Sequence, residues 1–176
     1  DVVVGTEALD VLAGGKGNDI LRGGGDGDLY IFNRGDGQDR IVEGEFNPFR
    51  EHMDIVRFGE GISADNLRFK RVGASNDLTI LLADDADNLT GDSLELENQF
   101  YEKEAFLWTL KPYLVERLTF ADGSFLDDTE IRRRVLAEGR TDGADALFGF
   151  GDNDRIDGGA GNDLLAGLNG ADTYVF

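Results

Sequence analysis

Apolar residues recur at intervals of nine near both ends of the chain. The first series consists of Val3, Leu12, Leu21 and Tyr30, and the second consists of Leu147, Ile156, Leu165 and Tyr174. Each lies in a short stretch such as "DILR" or "DLLA", and stretches of this kind between turn residues predict short β-strands. Alternation along a strand places the recurring residue on the inner face. The pattern predicts two blocks of short, regularly spaced strands.

An aspartate stands two residues before each of these apolar positions. The aspartates are Asp1, Asp10, Asp19, Asp28, Asp145, Asp154, Asp163 and Asp172. Sixteen of the 25 glycines fall within residues 1–31 and 140–176, so glycine marks the turns between the strands. The spacing resembles the pattern G-G-x-G-x-D-x-U-x, which is typical of calcium-binding parallel β-helix repeats. Two units make one coil, which stacks each aspartate on the one two units later.

The middle of the chain has a different pattern, in which apolar and polar residues alternate. "NLRFKRV" and "SLELENQF" have the alternation of half-buried strands. "GASND" separates two strand-like segments as a hairpin loop does, and "VERLTFADGSFL" indicates a strand, an Asp-Gly turn and a strand. Asp127 and Glu130 have the spacing of a capping box that starts a helix ending at about Leu136.

These patterns together predict a mainly all-β fold in three parts. Residues 1–39 and 139–176 are expected to form two parallel β-roll (β-helix) calcium-binding blocks. Between them, residues 40–138 are expected to form a mostly β insert with one short helix.

The composition indicates cations as partners. The formal charge is -19, from 36 acidic and 17 basic residues, and this excess disfavours binding to nucleic acid or to an anionic membrane. Without cysteine and with one histidine, the chain has no means to form disulfides, thiolate metal sites or an imidazole cluster. No apolar run reaches the ~20 residues of a membrane span, and no signal peptide is recognisable, so direct membrane insertion is not expected.

Stacked aspartates repel one another unless a cation lies between them. Each stacked pair offers two carboxylates flanked by loop carbonyls, an oxygen cage suited to calcium, which takes about six to eight oxygen ligands at ~2.3–2.6 Å. Ordering a glycine-rich coil costs roughly 1–2 kcal/mol of backbone entropy per residue. Calcium binding is therefore expected to supply folding free energy. A disordered linker is the alternative that composition alone suggests, but the strict phase of the repeats favours the metal sites.

The repeat segments resemble the RTX (repeats-in-toxin) family of secreted bacterial haemolysins, adenylate cyclase toxins, metalloproteases, lipases and adhesins. In that family each ion lies between one half-turn and the half-turn two units later. The first contributes its aspartate and the carbonyl oxygens of its first and third positions. The second contributes its aspartate and the carbonyl oxygens of its second and fourth positions. The resemblance implies calcium as the cofactor and a set of ligands in each block.

The implied ligands group by site. One site of the first block uses Gly5, Glu7 and Asp10 with Gly24, Asp26 and Asp28. Asp1 with Gly15, Gly17 and Asp19 forms a half-built site, and Gly14, Lys16 and Asp19 with Asp36 and Asp39 close the block. In the second block, the sites use Arg140, Asp142 and Asp145 with Gly159, Gly161 and Asp163, and then Gly149, Gly151 and Asp154 with Leu168, Gly170 and Asp172.

Some units depart from the consensus of the family. Arg140 stands at the first position of its unit, Leu168 at the second and Asp26 at the fourth, where the consensus has glycine. These positions contribute backbone oxygens, so a substitution strains the turn without removing the ligand. Weaker calcium binding is expected at these units.

The middle segment resembles the haemolysin-type calcium-binding-related domain, which commonly lies between repeat blocks. The residues that carry this resemblance are Phe58, Gly59, Gly61, Ile62, Leu67, Phe69, Asp77, Leu78, Phe120, Asp122 and Gly123. The two resemblances together cover nearly the whole chain.

The family resemblance implies one of two functions. In the first, the chain is a module of a secreted bacterial protein that leaves the cell through type I secretion machinery, folds in extracellular calcium and serves as a secretion and folding scaffold. In the second, calcium makes rigid a module of a toxin or adhesin that binds a glycan, a host-cell receptor or a peptide. No serine, histidine and acid set has a suitable local context, so enzyme activity is not expected.

Three other features favour structural explanations. "DDADNLTGD" resembles a calcium loop, but Leu89 stands where an oxygen ligand is required, which favours a hairpin tip. The arginines at 132–134 fall late in the predicted helix, where cations suit the helix dipole. Phe106, Trp108 and Tyr113 belong either to the core or to an exposed patch that contacts a ligand, and the core is favoured.

Overall fold

A computed structural model describes residues 1–43, 53–104, 109–111 and 114–176. Within these residues β-strands are the main regular structure, and there is one α-helix. The prediction of a mainly β protein with one short helix is confirmed. Phe106, Trp108 and Tyr113 lie outside the described residues, so their place in the core stays a prediction.

The strands are numbered in chain order. The first repeat block contains β1 (Val2–Val4), β2 (Val11–Ala13), β3 (Ile20–Arg22), β4 (Leu29–Phe32) and β5 (Gln38–Ile41). The middle contains β6 (Asp54–Phe58), a 3₁₀ turn (Ala64–Asn66), β7 (Leu67–Lys70), β8 (Leu78–Ala83), β9 (Leu89–Leu96), β10 (Lys103–Glu104), β11 (Thr109–Leu110), β12 (Val115–Thr119), β13 (Phe125–Asp127) and the helix α1 (Asp128–Glu138). The last repeat block contains β14 (Ala146–Phe148), β15 (Arg155–Asp157), β16 (Leu164–Ala166) and β17 (Thr173–Val175).

Strands two repeat units apart pair in parallel. Val2 pairs with Ile20 in the first block, and Ala146 pairs with Leu164 in the last block. The same offset joins β2 to β4 and β15 to β17. Alternate strands therefore lie on opposite sides of a coil, and the stacking predicted from two repeat units per coil is confirmed.

Two mixed sheets run from the first repeat block into the middle of the chain. The first sheet has the strand order β1-β3-β5-β9-β8-β7, and the second sheet has the order β13-β12-β6-β4-β2. β5 pairs in parallel with β9, and β4 pairs in parallel with β6. β8 is antiparallel to both β7 and β9, and β12 is antiparallel to β13. Parallel coils thus give way to antiparallel hairpins within the same two sheets.

The hairpins of the middle segment follow their predicted turn residues. "GASND" lies between β7 and β8, and the Asp122-Gly123 turn joins β12 to β13. Asp84 accepts hydrogen bonds from the backbone amides of Ala86 and Asn88, at 2.9 and 2.8 Å, at the tip between β8 and β9. Residues 84–88 of "DDADNLTGD" therefore form a hairpin tip, as predicted, and its remaining residues begin β9.

One apolar core extends from the coils to the helix. It includes the recurring repeat residues Leu12, Leu21, Tyr30, Leu147 and Ile156, each at most 6% exposed. Val3 and Leu165 are partly buried against the same core. Tyr174 is expected from its repeat position to face inward with them but is 41% exposed.

The helix α1 starts at the predicted cap. The side chain of Asp127 accepts a hydrogen bond from the backbone amide of Glu130 at 2.9 Å. Ile131, Val135 and Leu136 form its buried side. Across the described segments of the chain, no helix has the length and apolar character needed to span a membrane.

Two arginines attach the last repeat block to the middle of the chain. Arg71 donates hydrogen bonds from Nη1 to the carbonyl oxygens of Phe148 and Gly149, at 3.0 and 2.9 Å. Arg71 and Arg132 each place a guanidinium carbon 4.6 Å from the centre of the Phe150 ring. These cation–π contacts join the turn after β14 to the helix and to the loop after β7.

The three arginines lie in the middle of α1 and not in its last turn, so the predicted interaction with the C-terminal end of the helix dipole is wrong. Their partners are acidic side chains of the same molecule. Arg132 forms ion pairs with Asp128 and Glu102, both at 3.0 Å. Arg133 and Arg134 both pair with Glu130, one turn earlier in the helix.

Replacing Gly24 tests how closely the coils stack. Gly24 has a φ of 109°, and a Cβ atom there would lie 2.0 Å from the carbonyl oxygen of Thr6 on the preceding coil. We expect Gly24→Ala to lower the free energy of unfolding in saturating calcium by ~2–4 kcal/mol, measured by urea denaturation. Gly15 is the control, because it has a φ of 78° but no atom within 4 Å of an added Cβ. Gly15→Ala should cost about 1 kcal/mol, because alanine is disfavoured in the left-handed region. Equal losses for the two variants would contradict the close contact.

Candidate metal centre

The carboxylates of the repeat aspartates accept hydrogen bonds from the backbone of the preceding coil. The amide of Asp10 donates to Oδ1 of Asp28 at 2.8 Å. The amide of Asp19 donates to Oδ1 of Asp39 at 3.0 Å, and the backbone nitrogen of Asp1 lies 2.5 Å from Oδ1 of Asp19. We call this series of amide-to-carboxylate bonds the aspartate ladder.

The last repeat block has the same ladder. The amide of Asp145 donates to Oδ1 of Asp163, and the amide of Asp154 donates to Oδ1 of Asp172, both at 3.0 Å. The structure therefore brings together the aspartate pairs that the repeat spacing predicts. In each pair, one oxygen of the later carboxylate is committed to the backbone, and the position of its second oxygen follows from that bond.

In three of the pairs, the earlier aspartate uses its second oxygen to close its own turn. Oδ2 of Asp10 accepts from the amide of Thr6, and Oδ2 of Asp154 accepts from the amide of Phe150, both at 2.6 Å. Oδ2 of Asp145 accepts from Thr141 in the same way. These bonds fold the glycine-rich turn around the carboxylate.

Three aspartates of the first block have a buried oxygen without a hydrogen-bond partner among the described residues. Asp19 and Asp28 are 2% exposed and Asp39 is 3% exposed, and in each the oxygen without a partner is Oδ2. A buried acceptor without a partner costs ~1–3 kcal/mol, and more when it is charged. A cation beside these oxygens removes that cost and the repulsion between rungs. The donors are carboxylate and carbonyl oxygens, which suit calcium.

Backbone oxygens lie in the gaps between the stacked turns. An added Cβ on Gly161, whose φ is 131°, would lie 2.2 Å from the carbonyl oxygen of Gly143 on the preceding coil. The predicted carbonyl ligands at the first position of a unit lie against the carboxylate of their own unit. An added Cβ on Gly14 would lie 2.7 Å from Oδ2 of Asp19, and one on Gly149 would lie 2.5 Å from Oδ2 of Asp154.

The other predicted carbonyl ligands lie in the turns between the strands. They are Gly5, Glu7, Gly15, Lys16, Gly17, Gly24, Asp26, Asp142, Gly151, Gly159, Leu168 and Gly170. Asp26 and Leu168 have φ values of 68° and 66°, in the left-handed region that favours glycine. The strain expected from these two departures from the consensus is therefore present in the backbone.

Three predicted ligands also have partners within the protein. Oδ2 of Asp36 accepts hydrogen bonds from the backbone and side-chain amides of Asn33, at 2.8 and 3.0 Å. The carbonyl oxygen of Gly149 accepts from Arg71, which leaves it one lone pair for a metal. The side chain of Arg140 donates from Nε to Asp157 at 3.1 Å. This bond does not use the backbone carbonyl oxygen, which is the predicted ligand atom. The ligand assignment as a whole stays a prediction.

Sequence reasoning missed the residues that continue the ladder into the middle of the chain. The amide of Asp28 donates to Oδ1 of Asp54 at 2.7 Å, and the amide of Asp54 donates to Oε2 of Glu116 at 2.6 Å. Asp54 lies 26 positions after Asp28, out of phase with the repeats. The available signal was local: "DIV" at the start of β6 has the same aspartate and apolar residue two places later.

On the other side of the coil, Asp92 ends the repeats. Its two carboxylate oxygens accept from the backbone amides of Gly35 and Gly37, at 3.0 and 3.2 Å. Asp92 precedes the part of β9 that pairs with β5, so the pairing of these strands places it beside the last glycine turn. No periodic signal in the sequence identifies it.

Burial raises the pKa of several ladder carboxyls. The pKa of Asp39 rises to about 6, mainly because of burial and secondarily because of the charges of Asp19 and Asp36. Burial, followed by the charge of Glu43, raises the pKa of Asp54, and burial likewise raises that of Asp28. Each shift means that the folded site holds its negative charge at a cost.

Comparison with known proteins identifies the same segments. The family described as RTX calcium-binding nonapeptide repeat (4 copies) matches residues 4–41 and 141–174. The family described as haemolysin-type calcium binding protein related domain matches residues 77–130.

One related protein matches most of the chain. The chain is 34% identical over 133 residues to iron-regulated protein FrpA of Neisseria meningitidis serogroup C. The match covers 76% of this chain and 10% of the relative. The chain therefore spans about a tenth of the length of that protein.

The raised pKa values predict how the calcium-free protein responds to pH. The pKa of Asp39 is about 6 when folded, whereas an aspartate in the unfolded chain has a pKa of 3.8. Its contribution to stability is present below the unfolded pKa and is lost as pH rises through the folded pKa. In a chelator, we therefore expect more β-structure by circular dichroism at about pH 5 than at about pH 7.5. Saturating calcium should reverse this order, because protons compete with the metal. More β-structure at the higher pH in chelator would contradict the prediction.

Proposed function

Because the chain carries RTX calcium-binding nonapeptide repeats on both sides of a haemolysin-type calcium binding protein related domain, we propose that it is a calcium-gated folding and scaffold module of a secreted bacterial protein. The repeats bind calcium. In the proposed function, this binding orders the coils, and the ordered coils hold the middle of the chain in place.

One observation carries the proposal: Asp19, Asp28 and Asp39 each bury a carboxylate oxygen that has no hydrogen-bond partner among the described residues. Like charges in successive coils oppose stacking, and each unit offers one recurring apolar position to offset this repulsion. A calcium ion supplies the positive charge and joins the oxygens of two coils. The energy of metal binding then becomes energy of folding.

The chain's own residues prepare the site for the ion. Oδ1 of Asp28 is held by the amide of Asp10, so this carboxylate cannot rotate away when the coil forms. The amide of Thr6 holds Asp10 at 2.6 Å in the same manner. These bonds hold the ligands in place in the folded coil, and the ion contributes charge neutralisation.

The strand pairing connects this event to the middle of the chain. β5 and β4 are strands of the coils. In the two mixed sheets, β9 pairs with β5 and β6 pairs with β4. Ordering of the coils by calcium therefore completes the edges on which the middle strands assemble. This connection supports a role for the coils as a folding scaffold.

The proposed cellular role follows from calcium concentration. In a cytosol with little calcium the coils stay unfolded, and the extended chain passes through type I secretion machinery. Outside the cell, calcium at ~10⁻⁴–10⁻³ M, the range in which extracellular calcium modules work, orders them. The formal charge of -19 disfavours collapse of the metal-free chain.

A calcium titration tests the proposed function. We expect millimolar calcium, and not equal magnesium, to produce the β-structure of the repeat blocks in circular dichroism. Asp163→Asn keeps an oxygen for the amide of Asp145 but removes the charge. This variant should raise the calcium midpoint by roughly tenfold, the effect of losing ~1.4 kcal/mol.

The matched control removes an equal charge from the same block. Asp142 is exposed, and its predicted contribution is a backbone oxygen, so Asp142→Asn should leave the midpoint within about twofold. β-Structure that is complete in chelator, or equal midpoints for the two variants, would contradict the proposed function.

A further inference from the structure

Three carboxylates meet where the first repeat block joins the middle of the chain. Asp28 precedes β4, Glu43 follows β5, and Asp54 begins β6. One oxygen of each lies within 4.8 Å of the others. Glu43 and Asp54 lie outside the residues that the two families match.

A buried oxygen borders this cluster. Asp28 is 2% exposed, and its Oδ2 has no hydrogen-bond partner among the described residues. An added Cβ on Gly23 would lie 2.2 Å from that oxygen and 2.1 Å from the hydroxyl oxygen of Tyr30. Both oxygens therefore border one small space, and the charge of Glu43 lies beside the same hydroxyl. The absent side chain of Gly23 keeps this space open.

The other oxygen of each ladder carboxylate is occupied by the backbone. Oδ1 of Asp28 accepts from Asp10, and Oδ1 of Asp54 accepts from Asp28. These bonds orient two of the three carboxylates of the cluster. No lysine or arginine within the described ranges forms an ion pair with Asp28 or Asp54.

The chemistry of the cluster suits a calcium ion. Calcium binds about six to eight oxygen ligands in a flexible geometry, whereas magnesium requires a strict octahedron and keeps several waters. The three carboxylate oxygens lie close enough together to share one ion. Three carboxylates also carry more charge than one calcium, so an ion there is attracted without leaving the site positively charged.

We propose that Asp28, Glu43 and Asp54 form a calcium site that joins the two sheets. It lies beside the predicted repeat site to which Asp28 also contributes, and it differs from that site in using Glu43 and Asp54. Glu43 follows a strand of the first sheet, whereas Asp28 and Asp54 adjoin strands of the second sheet. Repeat ions bridge successive coils, and this ion links the two faces at the point where the coil ends. The inference rests on the proposed function for the identity of the metal.

Substitution of Glu43 tests the site in the full chain. Calcium bound per chain is measured by equilibrium dialysis at a concentration that saturates the original protein. Glu43→Gln should bind one calcium fewer, because it removes a charge that the repeat ligands do not supply. Glu60→Gln is the matched control, since Glu60 is exposed after β6, and it should keep the full number. Equal calcium binding by Glu43→Gln and the original protein overturns the junction site.

A crystal of the original protein grown with terbium in place of calcium keeps the test independent of how the variant folds. An anomalous peak in contact with Asp28, Glu43 and Asp54 supports the site. Peaks along the ladder without one at this position overturn the junction site and leave the proposed function intact. A peak at the junction with none along either ladder overturns the proposed function and retains the site.

Discussion

The structure depends on the bond between a backbone amide of one coil and the aspartate carboxylate of the next. Because Asp28 must accept from Asp10, its charge is carried into the interior, where it is 2% exposed. The hydrogen bonds that register the coils therefore also assemble a column of negative charge. A divalent ion is the simplest partner that neutralises this column without adding bulk between the coils. The close stacking of the coils also requires glycine, since a Cβ atom on Gly24 would lie 2.0 Å from the carbonyl oxygen of Thr6.

The middle of the chain ends the ladder differently on the two sides of the coil. On the side of β4 the ladder continues through Asp54 to Glu116, which belongs to β12. On the side of β5 it stops, and the carboxylate of Asp92 accepts from two glycine amides instead. Both endings use an acidic residue to satisfy backbone donors that another repeat would otherwise satisfy. The two mixed sheets are therefore continuous in hydrogen bonding, although their sequences change from repetitive to irregular.

Sequence alone predicted the parts of the fold that depend on local pattern. The phase of Asp10 and Asp28 gives the stacking, and the cap at Asp127 gives the start of the helix, because each follows from contacts close in sequence or strictly periodic along it. The junction could not be predicted in this way. Asp54 joins the ladder although it lies 26 positions after Asp28 in the sequence. Glu43 approaches Asp54 from a strand of the other sheet. Periodicity can also mislead: the repeat position of Tyr174 predicts burial, but the side chain is 41% exposed, because exposure depends on the neighbouring residues.

The stacking of the coils determines how the module responds to mechanical tension. The strands lie across the axis of each coil, so the hydrogen bonds between coils run along that axis. Tension along the axis then acts on the interfaces in series, and every interface experiences the whole force. The interface with the fewest bridging contacts separates first, and the block lengthens in discrete steps of one coil.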